Sequence, residues 1–260
     1  MSVPRALTIA TSDSGGGAGV QADLKAFAAA GCHGTSALVA LTAQNTVGVD
    51  AVHELPPSFI RAQLEAVFGD IGVDAAKTGM LFSRAIIGTV ADFLADRHVP
   101  LVVDPVLISS SGAQLLRPDA IETLIARLFP LATVVTPNLG EAEALTGLNG
   151  APRRVLAEHL VDLGAAAAIV TGGHGDDPVD HLFDGDEHHE LPVARHAIAA
   201  THGAGCTHSA TLAALLARGF PLLDAAREAG RIASEAVRHG LVEIGAGDGP
   251  VDVFNLKGRA

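Results

Sequence analysis

Cysteine and lysine are scarce in this sequence. Its 260 residues include two cysteines, Cys32 and Cys206, whose spacing matches neither a disulfide framework nor a zinc site. The lysines are limited to Lys25, Lys77 and Lys257, and the formal net charge at pH 7 is −12. Nucleic acids and anionic membrane surfaces bind basic faces, so this acidic balance argues against either as a partner.

Long apolar runs and internal boundaries are missing as well. The sequence has no apolar run of about 18 residues and no charged-then-apolar leader, so we expect a cytoplasmic protein that does not enter a membrane. A chain of 260 residues can bury the core of one large α/β domain. Because we find neither a linker nor a repeat, we expect residues 1–260 to form a single domain.

Common metal-binding and nucleotide-binding signatures are also absent. Twelve histidines occur, but none lies in an HExxH motif, and the His188-His189 pair lies in a charged, loop-like stretch. We therefore interpret most histidines as solvated surface side chains. The glycine-rich stretch at 14–19 is followed by no GK[ST] and lacks G-x-G-x-x-G spacing, which excludes a Walker A loop and leaves the dinucleotide-binding motif unmatched.

Apolar runs of strand length alternate with amphipathic stretches of helix length. Near-continuous apolar strands between helices are typical of a parallel sheet that is covered on both faces, so we expect an α/β fold. Two further short strands, joined by the turn-like Asp184-Gly185-Asp186, predict a hairpin. The predicted strands are 6–10, 36–41, 101–103, 133–135, 166–170, 181–183 and 188–193. The predicted helices are 21–30, 57–68, 86–95, 120–128, 154–163, 209–219 and 222–239.

The segment 202–207 is the most informative part of the chain. It reads His202-Gly203-Ala204-Gly205-Cys206-Thr207 and runs into an apolar, alanine-rich helical pattern. Glycine permits close backbone approach, and the first amides of a helix lack intrahelical partners, so the segment predicts an anion site. We expect the pKa of Cys206 to lie below the value of about 8.5 for a free thiol. A thiolate there can accept a proton from an alcohol while the amides hold a transferred phosphoryl group. The alternative is a glycine-containing helix start with a buried cysteine.

Ligand sites of open α/β sheets lie at the carboxyl ends of the strands, and the loops at these positions carry unusual residues. The many glycines at 14–19 would let a ligand approach the backbone closely or let the loop move as a flap. The alternative is an ordinary flexible loop. The Gln44 amide suits the edge of a heteroaromatic ring, although Gln-Asn-Thr is also an ordinary turn. Met80, which follows another short apolar strand and Lys77-Thr78-Gly79, can lie against a flat ligand or fill the core.

Two carboxylates follow adjacent predicted strands. Asp104 closes the strand at 101–103, and Glu141 follows the strand at 133–135. Together they can share a hydrated magnesium ion that also contacts phosphate oxygens. The alternatives are a turn residue for Asp104 and a first-turn helix acid for Glu141. The glycine-rich exit at 171–174 is also suited to phosphate.

Eight groups of motifs follow one another along nearly the whole chain. They are Ser12-Asp13-Ser14-Gly15-Gly16-Gly17-Ala18-Gly19-Val20-Gln21-Ala22-Asp23-Leu24-Lys25, Ala43-Gln44-Asn45-Thr46, Lys77-Thr78-Gly79-Met80-Leu81, Val103-Asp104-Pro105-Val106, Ser111-Gly112, Thr136-Pro137-Asn138-Leu139 with Glu141-Ala142, Gly172-Gly173-His174, and Thr201-His202-Gly203 with Gly205-Cys206-Thr207. In this order and spacing the chain resembles the hydroxymethylpyrimidine and phosphomethylpyrimidine kinases of thiamine biosynthesis, within the ribokinase-like superfamily.

The resemblance implies a fold, a reaction and a set of site residues. The fold is a three-layer sandwich with a mostly parallel central sheet and helices on both faces. The reaction is ATP-dependent phosphorylation of 4-amino-5-hydroxymethyl-2-methylpyrimidine and then of its monophosphate, to the pyrophosphate. Mg²⁺, a monovalent cation and a homodimer are further family expectations. The implied catalytic base is Cys206 in the anion hole of Gly203, Ala204 and Gly205. Substrate binding is implied for Thr11, Ala18, Asp23, Gln44, Met80 and Val106, ATP binding for Asp104, Asn138, Thr171, Gly173 and Thr207, and metal binding for Asp104 and Glu141.

Four positions depart from the family pattern. Thr11 replaces a glycine beside the pyrimidine, and Ala204 replaces a threonine in the anion hole. Ser110 and Thr171 replace lysines near the phosphates, where charge-assisted contacts are about twice as strong as neutral ones. We therefore expect an impaired second phosphorylation or a different substrate. Two alternatives stay open, a pyridoxal or pyridoxine kinase and a weakly catalytic pyrimidine-binding protein.

Overall fold

The structure is a computed structural model that describes residues 2–107, 116–172 and 178–259. Its centre is a nine-stranded sheet with the order β3-β2-β1-β4-β5-β6-β7-β8-β9. The pairs from β2 to β7 are parallel, whereas β3, β8 and β9 are antiparallel to their neighbours. The strands are β1 (Arg5–Asp13), β2 (His33–Gln44), β3 (Val49–Glu54), β4 (Ala75–Thr78), β5 (Leu101–Val103), β6 (Val134–Val135), β7 (Ala168–Val170), β8 (Val179–Phe183) and β9 (His188–Pro192).

Helices cover both faces of this sheet. Leu101 and Val103 of β5 belong to one apolar cluster, and Val102 between them belongs to the other. Because successive strand side chains point to opposite faces, a strand covered on both sides has to be apolar throughout. The three-layer α/β arrangement is therefore confirmed. The helices are α1 (Gly19–Ala29), α2 (Pro57–Ala66), α3 (Arg84–Leu94), α4 (Ile121–Leu128), α5 (Leu139–Thr146), α6 (Arg153–Asp162), α7 (Ala204–Ala217) and α8 (Leu222–Arg238).

The two helical layers differ in composition. Helices α2 to α6 supply large side chains to one cluster, whereas α1, α7 and α8 supply mainly small ones to the other. In α7 every residue from Thr207 to Leu215 is buried. Alanine side chains let this helix approach the sheet closely, which brings its first turn next to the carboxyl ends of the parallel strands. None of the described helices combines the length and the apolarity needed to cross a membrane.

The predicted elements are present, with three corrections. Helix α7 begins at Ala204 and not at 209, because only Gly203 adopts a left-handed conformation and Gly205 continues the helix. Lys77 and Thr78 lie inside β4 and do not follow it. The predictions contain neither β3, a half-exposed strand at the edge of the sheet, nor the short helix α5.

Candidate active site

The glycine-rich loop after β1 is folded around the carboxylate of Asp13. The amide of Gly15 donates to Asp13 Oδ1 at 2.8 Å, and the amides of Gly17 and Ala18 donate to Oδ2 at 3.1 and 2.8 Å. At Gly19, which has a φ of 56°, a Cβ would lie 2.3 Å from the carbonyl oxygen of Thr11. Glycine is therefore required at this position, and one buried acid fixes the shape of the loop that precedes α1.

Gln44 is tied to the same loop. The Ser14 hydroxyl accepts from the amide of Gln44 at 2.8 Å and donates to its carbonyl oxygen at 2.6 Å. The Gln44 side-chain oxygen accepts from Thr42 at 3.1 Å. This half-buried amide therefore lies at the end of β2, next to the glycine-rich loop.

Residues that follow or end β1 and β4 form one wall of the candidate site. The Thr11 hydroxyl donates to the carbonyl oxygen of Met80 at 3.1 Å, and both residues are buried. Thr11, which replaces the glycine of the family pattern, thus occupies space against this wall. Val106, which follows β5, is half-buried.

The start of α7 lies against the glycine-rich loop. Gly203 has a φ of 84°, and a Cβ there would lie 1.9 Å from the carbonyl oxygen of Gly17. The amide of Ala204 donates to Thr201 at 3.0 Å, so it is not one of the free amides that the sequence predicts. Among the described residues, the amides of Gly205 and Cys206 have no acceptor, and they can bind an anion.

The predicted effect of this environment on Cys206 is wrong. Burial of the thiol, aided by the charges of Asp23 and Asp104, raises the pKa of Cys206 to about 12. Lys77 and the backbone of Gly19 lower this pKa but do not outweigh the burial. The residue keeps some exposed surface, but the sulfur itself is enclosed, so the thiol is protonated at neutral pH.

Lys77 is a buried charged residue of the site to which the sequence analysis assigns no role. Its side chain is fully buried, with Nζ 2.6 Å from Asp23 Oδ1 and 3.5 Å from Asp104 Oδ2. Burial disfavours the ammonium, but the charges of Asp23, Cys206 and Asp104 outweigh it and raise the pKa of Lys77, so it remains charged. The signal in the sequence is a lysine inside an apolar strand, in a chain with very few lysines.

Asp23 lies beneath the site. It is fully buried, and besides Lys77 it accepts a hydrogen bond from the Thr8 hydroxyl at 2.6 Å. Burial raises the pKa of Asp23 in spite of the Lys77 charge. Both of its oxygens therefore have donors within the protein, and its implied substrate contact stays a prediction.

Asp104 connects the strand ends to α7. Its Oδ2 accepts from the Ser209 hydroxyl at 2.7 Å, one turn after Cys206, and lies near Lys77. The thiol, the ammonium and the acid at the end of β5 thus form one buried cluster. It joins the anion-binding turn to the edge of the sheet where β4 and β5 end.

Asn138 and Glu141 form the opposite side of the site. Asn138 caps α5 and accepts from the amide of Glu141 at 2.9 Å, while the amide of Asn138 donates to Glu141 at 2.9 Å. A bridge joins Asn138 to Thr171 at the end of β7. Glu141 also accepts from the amide of Leu107 at 3.3 Å. Glu141 is therefore a first-turn acid of α5, as the alternative interpretation predicts.

The charges of these acids suit a divalent cation. Burial, and after it the charge of Asp104, raise the pKa of Glu141 to about 8. A cation between the two carboxylates would remove this repulsion. No group of three or more His, Cys, Asp and Glu residues within the described ranges could hold a metal ion alone. Mg²⁺ commonly takes one or two carboxylates together with substrate phosphates, so the pair fits it as a partner of ATP.

The interpretation of the histidines needs correction. His181, His202 and His208 are buried, and His188 and His189 lie half-buried in β9 and not in a loop. Acidic side chains account for several of them, including the His202 contact with Asp13 at 3.0 Å and the His208 contact with Asp180 at 3.6 Å. Nearby carboxylates make burial of an imidazole possible, and the sequence does not show which carboxylates are near.

Every predicted site residue that the structure describes lies at or directly beneath one edge of the sheet. Their contacts with substrate, ATP and metal stay predictions. Gly173 and Ser110 lie outside the described residues, as do Ser111-Gly112 and His174. The gathered residues are Thr11, Ala18, Asp23, Gln44, Met80, Asp104, Val106, Asn138, Glu141, Thr171, Gly203, Ala204, Gly205, Cys206 and Thr207, of which Thr207 is buried inside α7.

Comparisons with known proteins agree with this arrangement. The family model described as phosphomethylpyrimidine kinase matches residues 13–252. A hydroxymethylpyrimidine/phosphomethylpyrimidine kinase of Rhizobium meliloti is 47% identical over 257 residues, which cover 96% of this chain and 97% of that protein.

Two solved structures are also similar. Phosphomethylpyrimidine kinase of Clostridium difficile superposes with a TM-score of 0.80 at 40% identity, covering 90% of this chain and 99% of that one. Pyridoxal kinase of Staphylococcus aureus in complex with ADP gives a TM-score of 0.89 at 35% identity, covering 97% and 94% of the two chains. The family match spans nearly all of the sequence and includes the whole acid, lysine and thiol cluster, so the chain belongs to the phosphomethylpyrimidine kinase family, whose members are kinases of the ribokinase-like fold.

Proposed function

We propose that the protein transfers the γ-phosphoryl group of ATP to the hydroxymethyl group of hydroxymethylpyrimidine, and then phosphorylates the monophosphate to the pyrophosphate for thiamine biosynthesis. One observation carries this proposal: Cys206 lies between the glycine-rich loop and the buried acids near β5, where an acceptor alcohol and a nucleotide phosphate can meet. The similarity to the pyrimidine kinase of Rhizobium meliloti supports it.

The substrate pocket in this proposal lies under the glycine-rich loop. Gln44 offers a donor and an acceptor to the ring edge, and Met80 and Val106 offer apolar surface to its faces. Ala18 is at the N-terminus of α1, next to Gly19. This arrangement directs the hydroxymethyl group of a flat heteroaromatic ring towards Cys206.

Cys206 and the first turn of α7 carry out the proposed transfer. The thiolate accepts the proton of the alcohol, and the amides of Gly205 and Cys206 stabilise charge on the phosphoryl oxygens. A neutral thiol cannot accept that proton. The thiol must therefore first release its own proton to solvent, and Lys77 and the backbone of Gly19, which both lower the pKa of Cys206, stabilise the thiolate that remains.

ATP and Mg²⁺ are proposed to bind on the opposite side of the site. Asp104 and Glu141 would hold Mg²⁺, while Asn138 and Thr171 would contact the nucleotide. Bound there, Mg²⁺ would neutralise two carboxylates and polarise the phosphates. The ADP complex of the Staphylococcus aureus kinase supports nucleotide binding in this fold. A monovalent cation is a further family expectation.

A second candidate reaction is phosphorylation of pyridoxal or pyridoxine. The TM-score of 0.89 with the Staphylococcus aureus pyridoxal kinase favours it, although the sequence identity is lower than with the pyrimidine kinase. Thr11 also alters the wall beside the ring. Both substrates are flat heteroaromatics that carry a hydroxymethyl arm.

We also propose that the protein acts as a single domain, in the cytoplasm, where ATP is available, and as a homodimer. The single continuous sheet supports the first of these proposals. The dimer rests on the family resemblance alone. Sedimentation of the purified protein would test it.

A coupled ADP-release screen tests the proposed reaction. Purified protein is assayed with hydroxymethylpyrimidine, its monophosphate, pyridoxine and pyridoxal, each with ATP and Mg²⁺. We expect the highest kcat/KM with hydroxymethylpyrimidine and a lower value with its monophosphate, because Thr171 stands where the family has a lysine. A preference for the pyridine alcohols would establish the second candidate. Pyrimidine binding without ADP release would indicate a binding protein and contradict the kinase proposal.

A further inference from the structure

A buried histidine–carboxylate pair joins the glycine-rich loop to the start of α7. His202 Nε2 lies 3.0 Å from Asp13 Oδ2, although the two residues are 189 positions apart in the sequence. Both are almost fully buried, with 7% and 3% of their surfaces exposed. The mechanism derived above gives neither of them a role.

The backbone around this pair leaves little room for movement. A Cβ on Gly17 would lie 2.2 Å from the His202 ring, and one on Gly203 would lie 1.9 Å from Gly17. The amide of His202 donates to Gly249 at 3.2 Å, and its carbonyl accepts from Val251 at 3.1 Å. The imidazole is thus anchored on the C-terminal segment and packed directly on the glycine-rich loop.

The contact between the glycine-rich loop and the start of α7 is called the junction. The Asp13 carboxylate has hydrogen-bond partners on both sides of it. Burial works to raise the pKa of Asp13, but the hydrogen bonds from His202, Ala18 and Gly15 outweigh it, so that the pKa lies below its usual value. The carboxylate is therefore charged at neutral pH. The Asp13 carboxylate thus accepts from three amides of the glycine-rich loop and also contacts His202, which directly precedes Gly203 and the first turn of α7.

The position of Cys206 depends on the same junction. The backbone of Gly19, which follows the loop held by Asp13, lies close enough to the Cys206 thiol to lower its pKa. The free amides of Gly205 and Cys206 follow directly after His202 and Gly203. Any separation of the two glycine segments would move the substrate loop away from the sulfur and from these amides.

We propose that Asp13 and His202 are positioning residues for phosphoryl transfer: their contact locks the substrate loop onto the anion-binding turn and so sets the alignment of the acceptor hydroxyl with Cys206. This inference rests on the proposed kinase function. It assigns neither residue a contact with the reacting atoms.

The test uses His202→Gln, Asp13→Asn and the double variant. Misplacement of reacting groups by about 1 Å can cost about 100-fold in rate, so we expect kcat for hydroxymethylpyrimidine to fall by about 100-fold in either single variant. KM for ATP should stay unchanged, because the residues proposed above to hold Mg²⁺ and the nucleotide, Asp104, Glu141, Asn138 and Thr171, lie on other elements. The double variant should be no slower than the slower single variant, since one contact is lost in all three.

The matched control is His188→Gln. His188 Nε2 also contacts a carboxylate, Glu158, at 2.9 Å, but this pair lies on β9 and α6, which carry none of the predicted site residues. We expect the kcat of this variant to equal that of the wild type. An equal loss in His188→Gln and His202→Gln, or additive losses in the double variant, would overturn the proposal.

A second readout does not require activity. The rate of Cys206 alkylation by iodoacetamide is followed by mass spectrometry, with buried Cys32 as the internal reference. Loosening the junction solvates the sulfur and lowers its pKa, so we expect Cys206 to react about tenfold faster in His202→Gln, as for one pKa unit. An unchanged alkylation rate contradicts the positioning role. If no alcohol releases ADP in the wild type, the kinase proposal fails while this readout still decides the inference.

Discussion

Cys206 shows how strongly a single side chain depends on the groups packed around it. Its thiol is protonated at neutral pH because burial outweighs Lys77 and the amide of Gly19. We expect Cys206→Ala to fold normally, to keep its KM for the pyrimidine and to lose about 10²–10⁴-fold in kcat, the usual contribution of a general base. Steady-state ADP release measures this. Cys32→Ala is the control, because that thiol is buried against the Ala214 carbonyl. Near-normal turnover of Cys206→Ala would remove the thiol from the mechanism.

Lys77 is the residue whose loss should damage stability most. Its ammonium is the cation between Asp23 and Asp104, and all three side chains are buried. Removing one partner of a buried ion pair typically costs about 3–5 kcal/mol, so we expect Lys77→Met to lose that much unfolding free energy in urea. Adding Asp23→Asn should restore part of the loss, because an uncompensated charge disappears. Lys25→Met, at an exposed position of α1, should change little. A double variant that is less stable than Lys77→Met would contradict the ion-pair account.

Glu141 makes stability depend on pH. Burial and then the charge of Asp104 raise its pKa from 4.5 to about 8 in the folded protein. Between these values the folded state keeps a proton that the unfolded state has lost. Its contribution is therefore complete at pH values below 4.5 and falls as the pH rises through about 8. We expect Glu141→Gln, compared with the wild type in EDTA, to have a relative Tm that is higher at pH 8 than at pH 5. A Tm difference that does not vary with pH would show that Glu141 is already ionised at pH 5.

At the scale of elements, the contact between α1 and α7 depends on two glycines with different roles. Gly203 has a left-handed conformation and touches Gly17, whereas a Cβ on Gly205 would meet nothing within 4 Å. We expect Gly203→Ala to lower the unfolding free energy by more than about 1 kcal/mol, the usual cost of a non-glycine residue in this conformation. Gly205→Ala, in the first turn of α7, should be neutral or stabilising. Chemical denaturation measures both. Equal stability of the two variants would mean that the segments separate easily.

Element prediction succeeded where a local pattern decides the structure. Leu101–Val103 is apolar at every position because both faces are covered, and the turn at 184–187 has its own aspartate as an acceptor for two amides. It failed where distant contacts decide. The Gly203-Ala204-Gly205 segment looks like a loop by composition, but Gly205 is helical because α7 packs against α1 and the sheet. Strand β3 alternates weakly, and its pairing with β2 alone makes it a strand.

At the scale of the whole molecule, the sequence predicted which loops lie together at one edge of the sheet but not the charges of their side chains. Motif order brings Asp104, Glu141 and Cys206 to one edge, as parallel strands require. The pKa of Cys206 is raised and not lowered, because burial of the thiol and the charges of Asp23 and Asp104 outweigh Lys77, and these residues lie far apart in the sequence. Lys77 was overlooked for the same reason, since its two carboxylates come from α1 and from the end of β5.

The net charge of −12 predicts how the whole protein treats its two acceptor substrates. The monophosphate is anionic and the alcohol is neutral, and the family lysines that would attract a phosphate are absent at Ser110 and Thr171. Long-range repulsion should therefore slow capture of the monophosphate at low ionic strength. Screening removes this effect as the Debye length falls from about 30 Å at 0.01 M to about 8 Å at 0.15 M.

We expect kcat/KM for the monophosphate, divided by that for the alcohol, to rise severalfold over this range of ionic strength. Each rate is measured at saturating ATP and Mg²⁺, with potassium held constant and tetramethylammonium chloride as the variable salt, so that a monovalent-ion requirement does not enter. The Thr171→Lys variant should show a higher ratio at low salt and a weaker salt dependence, because a local cation opposes the repulsion. If the ratio in the wild type falls as salt is added, positive potential at the site outweighs the negative charge of the whole chain. That result would contradict the prediction that electrostatic repulsion impairs the second phosphorylation.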